Sequence, residues 1–249
     1  MDGEITAARI QEPSALGEKR SSAARARGRL ADEVHDALLG QLMSLRLEPD
    51  SRVTIDALAR ELGVSQTPIR VALNRMESDG LVVRVPNAGY RIPPPISSER
   101  FEELIELRLL LEPAAARRAA ERASADQVAR MRRMLEEMAE LDEGGLLAYG
   151  AFGLRDAAFH DLVAEVSGNA HIREALARLH THVHLFRRIH DTQVTYPAMG
   201  EHDEVLSAIA ARDPDAAAYA MRRHILLSGE RFRRLCDPTE EPDAPKRGA

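Results

Sequence analysis

Residues 54–80 decide the fold, and they read TIDALARELGVSQTPIRVALNRMESDG. Thr54 is a good helix N-cap, and apolar residues then recur at helical spacing until Gly63, a residue type that commonly follows a helix end. Only Val64 and Ser65 separate this glycine from a second helical pattern. Two short helices joined by so tight a turn predict a helix-turn-helix unit.

The segments on either side complete this unit. Upstream, an apolar stripe over Leu30–Leu45 predicts a preceding helix that ends at Pro49 and Asp50. Downstream, residues 81–92 read LVVRVPNAGYRI, which is two β-rich runs around a turn-forming Pro-Asn-Ala-Gly, and this pattern predicts a β-hairpin. We therefore predict a winged helix-turn-helix domain at residues 29–93.

One face of the second helix carries side chains that can read DNA. Gln66, Arg70 and Asn74 are spaced i, i+4 and i+8, so they share this face. In the major groove Arg bonds guanine, and Gln or Asn bonds adenine. Polar residues at the helix N-terminus and basic residues on the wing are better placed to bind the backbone or the minor groove. The predicted DNA-contacting residues are Ser65, Gln66, Thr67, Arg70, Asn74, Arg84, Asn87, Gly89 and Arg91.

The partner that this arrangement implies is double-stranded operator DNA. A polar helix face also occurs on an ordinary three-helix subdomain, so the prediction depends on the whole pattern of helices, tight turn and hairpin. The net charge of −6 speaks mildly against nucleic acid, but residues 19–92 hold 12 Lys and Arg against 9 Asp and Glu. Two recognition helices must meet half-sites on one face of a duplex, which predicts a homodimer.

The composition favours a soluble, mainly helical protein of the cytoplasm. Aromatic residues make up only 4% of the chain and there is no Trp, a bias that favours helix over sheet. The single cysteine, Cys236, excludes an internal disulfide and fits a reducing compartment. The sequence shows neither the apolar core of a signal peptide nor a run long enough to cross a bilayer, so no membrane partner is expected.

Beyond a stiff linker of three prolines at residues 93–95, the chain is helical almost to its end. Six helices with short connections predict an all-α antiparallel bundle at residues 97–236, so the expected fold class is mainly α. Pro113 predicts a kink or break in the first of these helices. Residues 1–28 and 237–249 are expected to form a flexible arm and a disordered tail. The predicted helices are Ser98–Arg122, Ser124–Asp142, Tyr149–Ser167, Ala170–Thr192, Pro197–Arg212 and Pro214–Cys236.

Four side chains of this bundle have the chemistry of a metal site. Asp156 and His160 are spaced i, i+4 on one predicted helix, and His202 and His224 lie on two others. If these helices meet, one carboxylate and three imidazoles converge, a donor set that suits Zn²⁺ and also Ni²⁺, Mn²⁺ or Fe²⁺. The spacing alone is weakly specific.

A histidine-rich stretch at residues 180–190 offers a rival to this donor set. His180 and His184 would share one face of a continuous helix and form a second candidate pair of ligands. Histidines of this kind are more often surface residues or satisfied core residues, so we expect the first set to hold the metal.

Residues 58–70, LARELGVSQTPIR, resemble the GntR family of bacterial regulators, and the resemblance extends through the wing at residues 86–90. It implies that Ser65, Thr67 and Arg70 contact DNA. Two positions depart from the common pattern: Gln66 stands where the family usually has Arg, and Val71 where it often has Glu. The first departure puts an inherited operator sequence in doubt, because Gln prefers adenine and Arg prefers guanine.

Residues 100–234 resemble the FadR-like C-terminal domain known as FCD. The motifs that carry this resemblance are Arg108-Leu-Leu-Leu-Glu112, Asp156-x-x-Phe-His160, Ser167-Gly-Asn169, Glu201-His202 and Met221-x-x-His224. The resemblance implies that Asp156, His160, His202 and His224 bind a divalent metal, whose coordination a small carboxylate effector completes. Arg108 is the natural bidentate partner of that carboxylate, and Asn169 is a further effector-binding candidate. Alternatively, Arg108 pairs with Glu112 on the helix surface.

Two functions from different classes remain open at this point. In the first, the protein is a transcriptional regulator, most often a repressor in this family, whose operator affinity changes when the effector binds. In the second, a metal-dependent enzyme in a helical bundle is fused to a nucleic-acid-binding module. The sequence lacks the Glu-x-x-His pairs of di-iron bundles and the His-Glu-x-x-His motif, which favours the regulator.

Overall fold

The computed structural model describes residues 15–141, 145–188 and 195–236. The helices are α1 (Ala15–Met43), α2 (Ile55–Leu62), α3 (Gln66–Ser78), α4 (Ser98–Arg122), α5 (Ala125–Ala139), α6 (Gly145–Val166), α7 (Ala170–Leu179), α8 (Thr181–Phe186), α9 (Thr195–Ala210) and α10 (Pro214–Cys236), and the strands are β1 (Arg52–Val53), β2 (Val83–Val85) and β3 (Gly89–Arg91). The predicted fold class is confirmed: a small winged helix-turn-helix precedes an all-α bundle.

The local signals of the winged domain act as predicted. The Thr54 side chain accepts a hydrogen bond from the backbone N–H of Ala57, and Gly63 ends α2 with a φ of 67°. The apolar stripe of α3 is buried, with Ile69 and Leu73 at most 1% exposed. The hairpin strands β2 and β3 form, and β1 adds a strand that the sequence did not reveal, in the order β1-β3-β2.

Gly89 is required where the wing meets β1. Its φ is 87°, and a Cβ atom there would lie 2.5 Å from the carbonyl oxygen of Val53. Because this strand is paired antiparallel with β3, with Val53 opposite Tyr90, any side chain at Gly89 would push the wing away from the sheet.

The predicted N-terminal arm is wrong in part, because α1 begins at Ala15 and runs without interruption to Met43. Residues 15–28 contain four Ala and three Arg, residue types that favour helix even without an apolar face. Residues 1–14 and the predicted tail at 237–249 lie outside the described residues.

The bundle follows the predicted helices with two differences. Ser124 and Gln127 form the predicted capping box, and Asp213 caps α10 through the backbone N–H of Ala216. The first difference is that α4 is not broken at Pro113, which lies inside one helix of 25 residues. The second is that the helix expected at Ala170–Thr192 is divided at His180, whose φ is 45°.

The two domains share one hydrophobic core, because α1 packs against both α3 and α6. The contact between α1 and α6 is a close backbone approach. A Cβ atom at Gly150 would lie 2.6 Å from the carbonyl oxygen of Gly40 and 2.9 Å from Cβ of Ser44. The linker is also fixed to the bundle, since Arg188 donates a hydrogen bond to the carbonyl oxygen of Ile96 at 2.6 Å.

None of the helices in the described ranges is both long enough and apolar enough to span a membrane.

The close approach of α1 and α6 gives a first prediction. Gly150→Ala should destabilise the protein by about 1–3 kcal/mol, although alanine favours helix, because the new methyl group has no space against α1. Urea unfolding measures the change. Gly200→Ala is the matched control: no atom lies within 4 Å of that Cβ position, so this variant should be unchanged or stabilised by up to about 1 kcal/mol. Equal behaviour of both variants would contradict the packing.

Candidate DNA-reading surface and candidate metal centre

The second helix of the helix-turn-helix motif, α3, presents its polar face to solvent. The predicted residues on this face are exposed, and the N-terminal ones lie at the positive end of the helix. Ser65 is the N-cap of α3, but its side chain forms no capping hydrogen bond, so its hydroxyl is available for a phosphate. The exposed members are Ser65, Gln66, Thr67, Arg70 and Asn74.

Some charged and amide side chains of this surface contact neighbouring side chains, and others do not. Within the described ranges, Arg70 and Arg84 are exposed and take part in none of the ion pairs. In contrast, Arg91 is paired with Asp50 at 2.9 Å. Gln66 and Asn74 are oriented by neighbours: the Gln66 amide donates to Asp56 at 2.5 Å, and Asn74 Oδ1 accepts from the Tyr90 hydroxyl at 3.1 Å. The free guanidinium groups are thus the ones best able to reach DNA.

The wing is shaped by two residues with positive φ. Asn87, with a φ of 59°, and Gly89 close the turn between β2 and β3, and both were predicted to lie near DNA. Asn87 and Arg84 are exposed on this hairpin, whereas Gly89 is partly covered by β1. Gly89 therefore allows the backbone conformation of the wing, and Arg84 provides a positive charge on it.

The four predicted metal ligands converge in the bundle. Asp156 and His160 come from α6, His202 from α9 and His224 from α10, and all four are buried. His202 Nε2 lies 3.0 Å from Asp156 Oδ1, and His160 Nε2 lies 3.8 Å from the same oxygen. The ligand atoms of the three histidines lie within 4.8 Å of one another.

A fifth side chain, His182 of α8, joins this cluster. Its Nε2 lies 3.3 Å from Asp156 Oδ2, and its ring centroid is 4.9 Å from that of His160. The sequence pointed instead to His180 and His184 as the pair in this stretch. The break at His180 turns α8 so that His182 faces the cluster, and neither Gly nor Pro marks that break in the sequence.

The cluster contains buried polar atoms that have no hydrogen-bond partner among the described residues. These atoms are Asp156 Oδ1, His160 Nε2, His182 Nε2 and both ring nitrogens of His202. The 3.0 Å contact between His202 and Asp156 is close enough for a hydrogen bond but is not aligned for one. Unpaired buried polar groups are costly, so this arrangement fits a site that is completed by a bound cation.

The protonation states also fit metal coordination. Burial lowers the pKa of His182 and of His224 to about 3 and lowers that of His202, so these imidazoles are neutral at neutral pH. Burial raises the pKa of Asp156, but the nearby imidazoles of His182 and His202 more than offset this and hold it well below its ordinary value. Neutral imidazoles and a carboxylate are the forms that bind divalent metals.

Two carboxylates behind the cluster orient two of its imidazoles. Glu112 contacts His160 Nδ1 at 2.5 Å, and Glu201 contacts His224 Nδ1 at 2.9 Å. An arginine holds each carboxylate: Arg108 Nε donates to Glu112 at 2.5 Å, and Arg231 donates to Glu201 with both terminal nitrogens. A carboxylate on Nδ1 leaves Nε2 as the coordinating atom, which is the usual arrangement behind metal-bound histidines.

This arrangement changes the interpretation of Arg108 and Asn169. Arg108 is 1% exposed and forms the ion pair with Glu112, but in the interior and not on the helix surface. Its guanidinium therefore acts on the cluster through Glu112 and His160. Asn169 is the N-cap of α7, where its side-chain oxygen accepts from the backbone N–H groups of His171 and Ile172, so this oxygen serves the helix.

The remaining histidines of the rival set lie elsewhere. His180 Nε2 lies 3.4 Å from Asp79 Oδ2, at the end of α3, and so links the bundle to the DNA-reading helix. His184 lines a different surface depression, next to Arg100 and Leu104. His190 lies outside the described residues.

A cavity of about 210 Å³ adjoins the cluster. His160 and His182 belong both to the cluster and to the cavity wall. Asn169 and Arg108 are not part of that wall. The cavity therefore gives a small molecule a place next to the unpaired atoms of the donor set.

Comparison with known proteins matches both domains. Residues 30–92 match the family of bacterial regulatory proteins described as gntR, and residues 103–227 match the FCD domain. The chain is 30% identical to the Nta operon transcriptional regulator of Aminobacter aminovorans. The matched region of 185 residues covers 74% of this chain and 85% of that protein. It is 27% identical over 199 residues to a probable D-xylose utilization operon transcriptional repressor of Paenarthrobacter nicotinovorans, covering 79% of this chain and 85% of the relative.

Among solved structures, McbR/YncC of E. coli has a similar fold, with a TM-score of 0.68 at 20% identity over 84% of this chain and 99% of that one. The fold and its DNA-reading helix define a transcriptional regulator and not an enzyme. The chain belongs to the GntR family and carries an FCD domain. The alternative of a metal-dependent enzyme is thereby set aside.

The buried ion pair behind the cluster gives a second prediction. Glu112→Gln should destabilise the protein by about 3–5 kcal/mol, because it leaves the Arg108 charge uncompensated in the interior. Thermal or urea unfolding of the full chain measures the loss. Glu103→Gln is the control on the same helix: Glu103 pairs with Arg100 at 3.2 Å in an exposed position, where such a pair contributes about 1 kcal/mol or less. Comparable losses in both variants would show that burial is not the cause.

Proposed function

We propose that the protein is a homodimeric repressor whose affinity for operator DNA is controlled by a small carboxylate effector at a metal site in the bundle. The observation that carries this proposal is the buried cluster of Asp156 and three histidines with unpaired donor atoms beside a cavity. The relative from Paenarthrobacter nicotinovorans is named as a probable repressor, which supports the proposal that this protein represses transcription. The site of action is the cytoplasm, where the operator DNA of a bacterium lies.

The residues proposed to hold the metal are Asp156, His160, His202 and His224. Zn²⁺ fits this donor set well, and Ni²⁺, Mn²⁺ and Fe²⁺ are chemically compatible with it. When bound, the metal supplies a Lewis-acidic position for the effector carboxylate. Glu112 and Glu201 fix the imidazoles of His160 and His224, and His182 Nε2 lies 3.3 Å from the second oxygen of Asp156.

Control of DNA binding requires that the effector favours one arrangement of the two domains over another. The junction of α7 and α8 lies between the cluster and the DNA-reading helix. At this junction His180 contacts Asp79, the C-cap of α3, while His182, two residues further on, contacts Asp156. A shift of α8 on effector binding would therefore change a contact of the helix that reads the operator.

A dimer supplies the two reading helices that a two-fold operator requires. An apolar stripe on α4 is the proposed contact with the second copy. Leu107, Leu110 and Ala114 recur at three- and four-residue steps and are exposed, with Leu110 at 66%. Exposed apolar residues that share one helix face are typical of an interaction surface.

Arg70 gives a third prediction. A DNA duplex that the wild-type protein binds is first selected from a random-sequence library. Arg70→Ala should bind this duplex roughly tenfold or more weakly, because a bidentate contact to guanine is lost. Fluorescence anisotropy of the labelled duplex measures the affinity. Arg222→Ala, an exposed arginine on α10, is the matched control and should bind like the wild type.

Sedimentation velocity on the wild type and the two arginine variants tests the proposed dimer. The wild type and both arginine variants should sediment as dimers. Unchanged DNA affinity in Arg70→Ala would remove this residue from the reading surface, and a monomeric wild type would contradict the proposed dimer.

The metal site gives a fourth prediction. After incubation with Zn²⁺ and extensive dialysis, the wild type should retain about one zinc per chain by elemental analysis, and His202→Gln should lose most of it. Glutamine is close to histidine in size but does not supply the imidazole nitrogen. His171→Gln, an exposed histidine on α7, should retain the metal. Full occupancy in His202→Gln, with circular dichroism showing both variants folded, would refute the ligand set.

A further inference from the structure

The cavity beside the metal cluster has an apolar body. Residues of α1, α6, α7 and α8 line it together with Glu112 of α4, and most of its wall is apolar. The apolar side chains that form the main part of this wall are Leu39, Met43, Leu154, Ala157, Leu176 and Val183. A ligand that fills this space must replace its own hydration with contacts to hydrocarbon.

The polar residues of the cavity wall are Glu112, His160, Asp161, His180, Thr181 and His182. Among them, His160, His182 and Thr181 are at least nine-tenths buried, and His160 Nε2, His182 Nε2 and Thr181 Oγ1 have no hydrogen-bond partner among the described residues. The carboxylates in the wall are already engaged, Glu112 by Arg108 and His160 and Asp161 by Arg173. His180 contacts Asp79, so the unpaired polar atoms next to the cavity belong to Thr181 and to two residues of the cluster, His160 and His182.

We propose that the effector is a small monocarboxylate with an apolar body, either an aromatic acid or a branched aliphatic acid. This inference rests on the proposed function and names the class of ligand for that site. The carboxylate lies at the end formed by His160 and His182, where the Thr181 hydroxyl donates a hydrogen bond to it. The apolar body lies against the aliphatic wall.

The size and chemistry of the cavity set this class. An apolar cavity of roughly 150 Å³ accepts benzene, so a cavity of about 210 Å³ has room for such a group together with a carboxylate. Sugar acids and tricarboxylates would bury hydroxyl or carboxylate groups against Leu39 and Leu154 without partners, which costs binding energy. The cavity therefore selects against ligands whose polar groups would be buried in it without hydrogen-bond partners.

The apolar body also reaches the DNA-binding domain. Leu39 and Met43 belong to α1, which packs on the DNA-reading helix α3. A ligand without this body would bind the cluster but would not contact α1. The same contacts that select the ligand therefore connect its binding to the position of the DNA-reading domain.

Isothermal titration of the zinc-loaded full-length protein tests the ligand class. The probes are benzoate and 3-methylbutanoate against gluconate and citrate, and zinc content is measured for every sample. Benzoate or 3-methylbutanoate should bind at least about tenfold more tightly than gluconate or citrate. Tighter or equal binding of gluconate or citrate, or no binding of any probe, would overturn the inference.

A cavity-filling variant tests the location. Ala157→Leu, in the cavity wall, should weaken benzoate binding about tenfold or more, because the larger side chain occupies space that the apolar body of the ligand needs. Ala158→Leu, the exposed neighbour on α6, should bind benzoate like the wild type. Both should retain zinc. Unchanged benzoate affinity in zinc-loaded Ala157→Leu would also overturn the inference.

The two failures are distinguishable by the metal content. A wild type that retains zinc but prefers gluconate or citrate contradicts the apolar ligand class and leaves the metal-dependent regulator standing. A wild type that retains no zinc contradicts the proposed function itself, and the inference falls with it. Thr181→Val gives a further check, since loss of the hydroxyl should weaken benzoate binding while zinc content stays unchanged.

Discussion

Two carboxylates buried in the bundle set the constraint on which the rest of the site depends. Asp156 and Glu112 are at most 7% exposed, and a buried charge is tolerated only where partners compensate it. Glu112 has Arg108 and His160, whereas Asp156 has imidazoles that burial keeps neutral. Asp156 Oδ1 has no hydrogen-bond partner among the described residues, and this unpaired oxygen beside neutral imidazoles is the physical reason that the bundle interior is suited to a cation.

The packing of α1 joins this interior to the DNA-reading domain. This helix begins the winged domain, yet its other face lies against α6 at the close approach of Gly40 and Gly150 and forms one wall of the cavity. The junction at His180 makes a second connection, to the C-terminal end of α3. Because both connections start from elements that line the cavity, a ligand there is well placed to bias the position of the reading helix.

Much of this protein is predictable because the signals are local. Thr54, Gly63, Ser124 and Asp213 act at helix ends through hydrogen bonds or backbone angles that depend on a few neighbouring residues. The apolar stripe of α3 is buried as its spacing predicts, and so is that of α1 except at Leu30, which is 36% exposed. The division of the helix at His180 was missed, because packing against other helices decides it.

The sequence by itself determined the winged helix-turn-helix, the helical bundle and the residue types of the donor set, since each follows from short-range periodicity or a local motif. Only the tertiary structure decided which histidines meet. It placed His182 in the cluster beside Asp156, His180 at the domain junction, and Arg108 in a buried pair with Glu112. The contacts of His182 and His180 join residues from different helices or depend on a helix break that long-range packing creates, and sequence spacing does not encode them. The spacing of Arg108 and Glu112 on α4 does allow their pairing, and only the packing decided that this pair is buried.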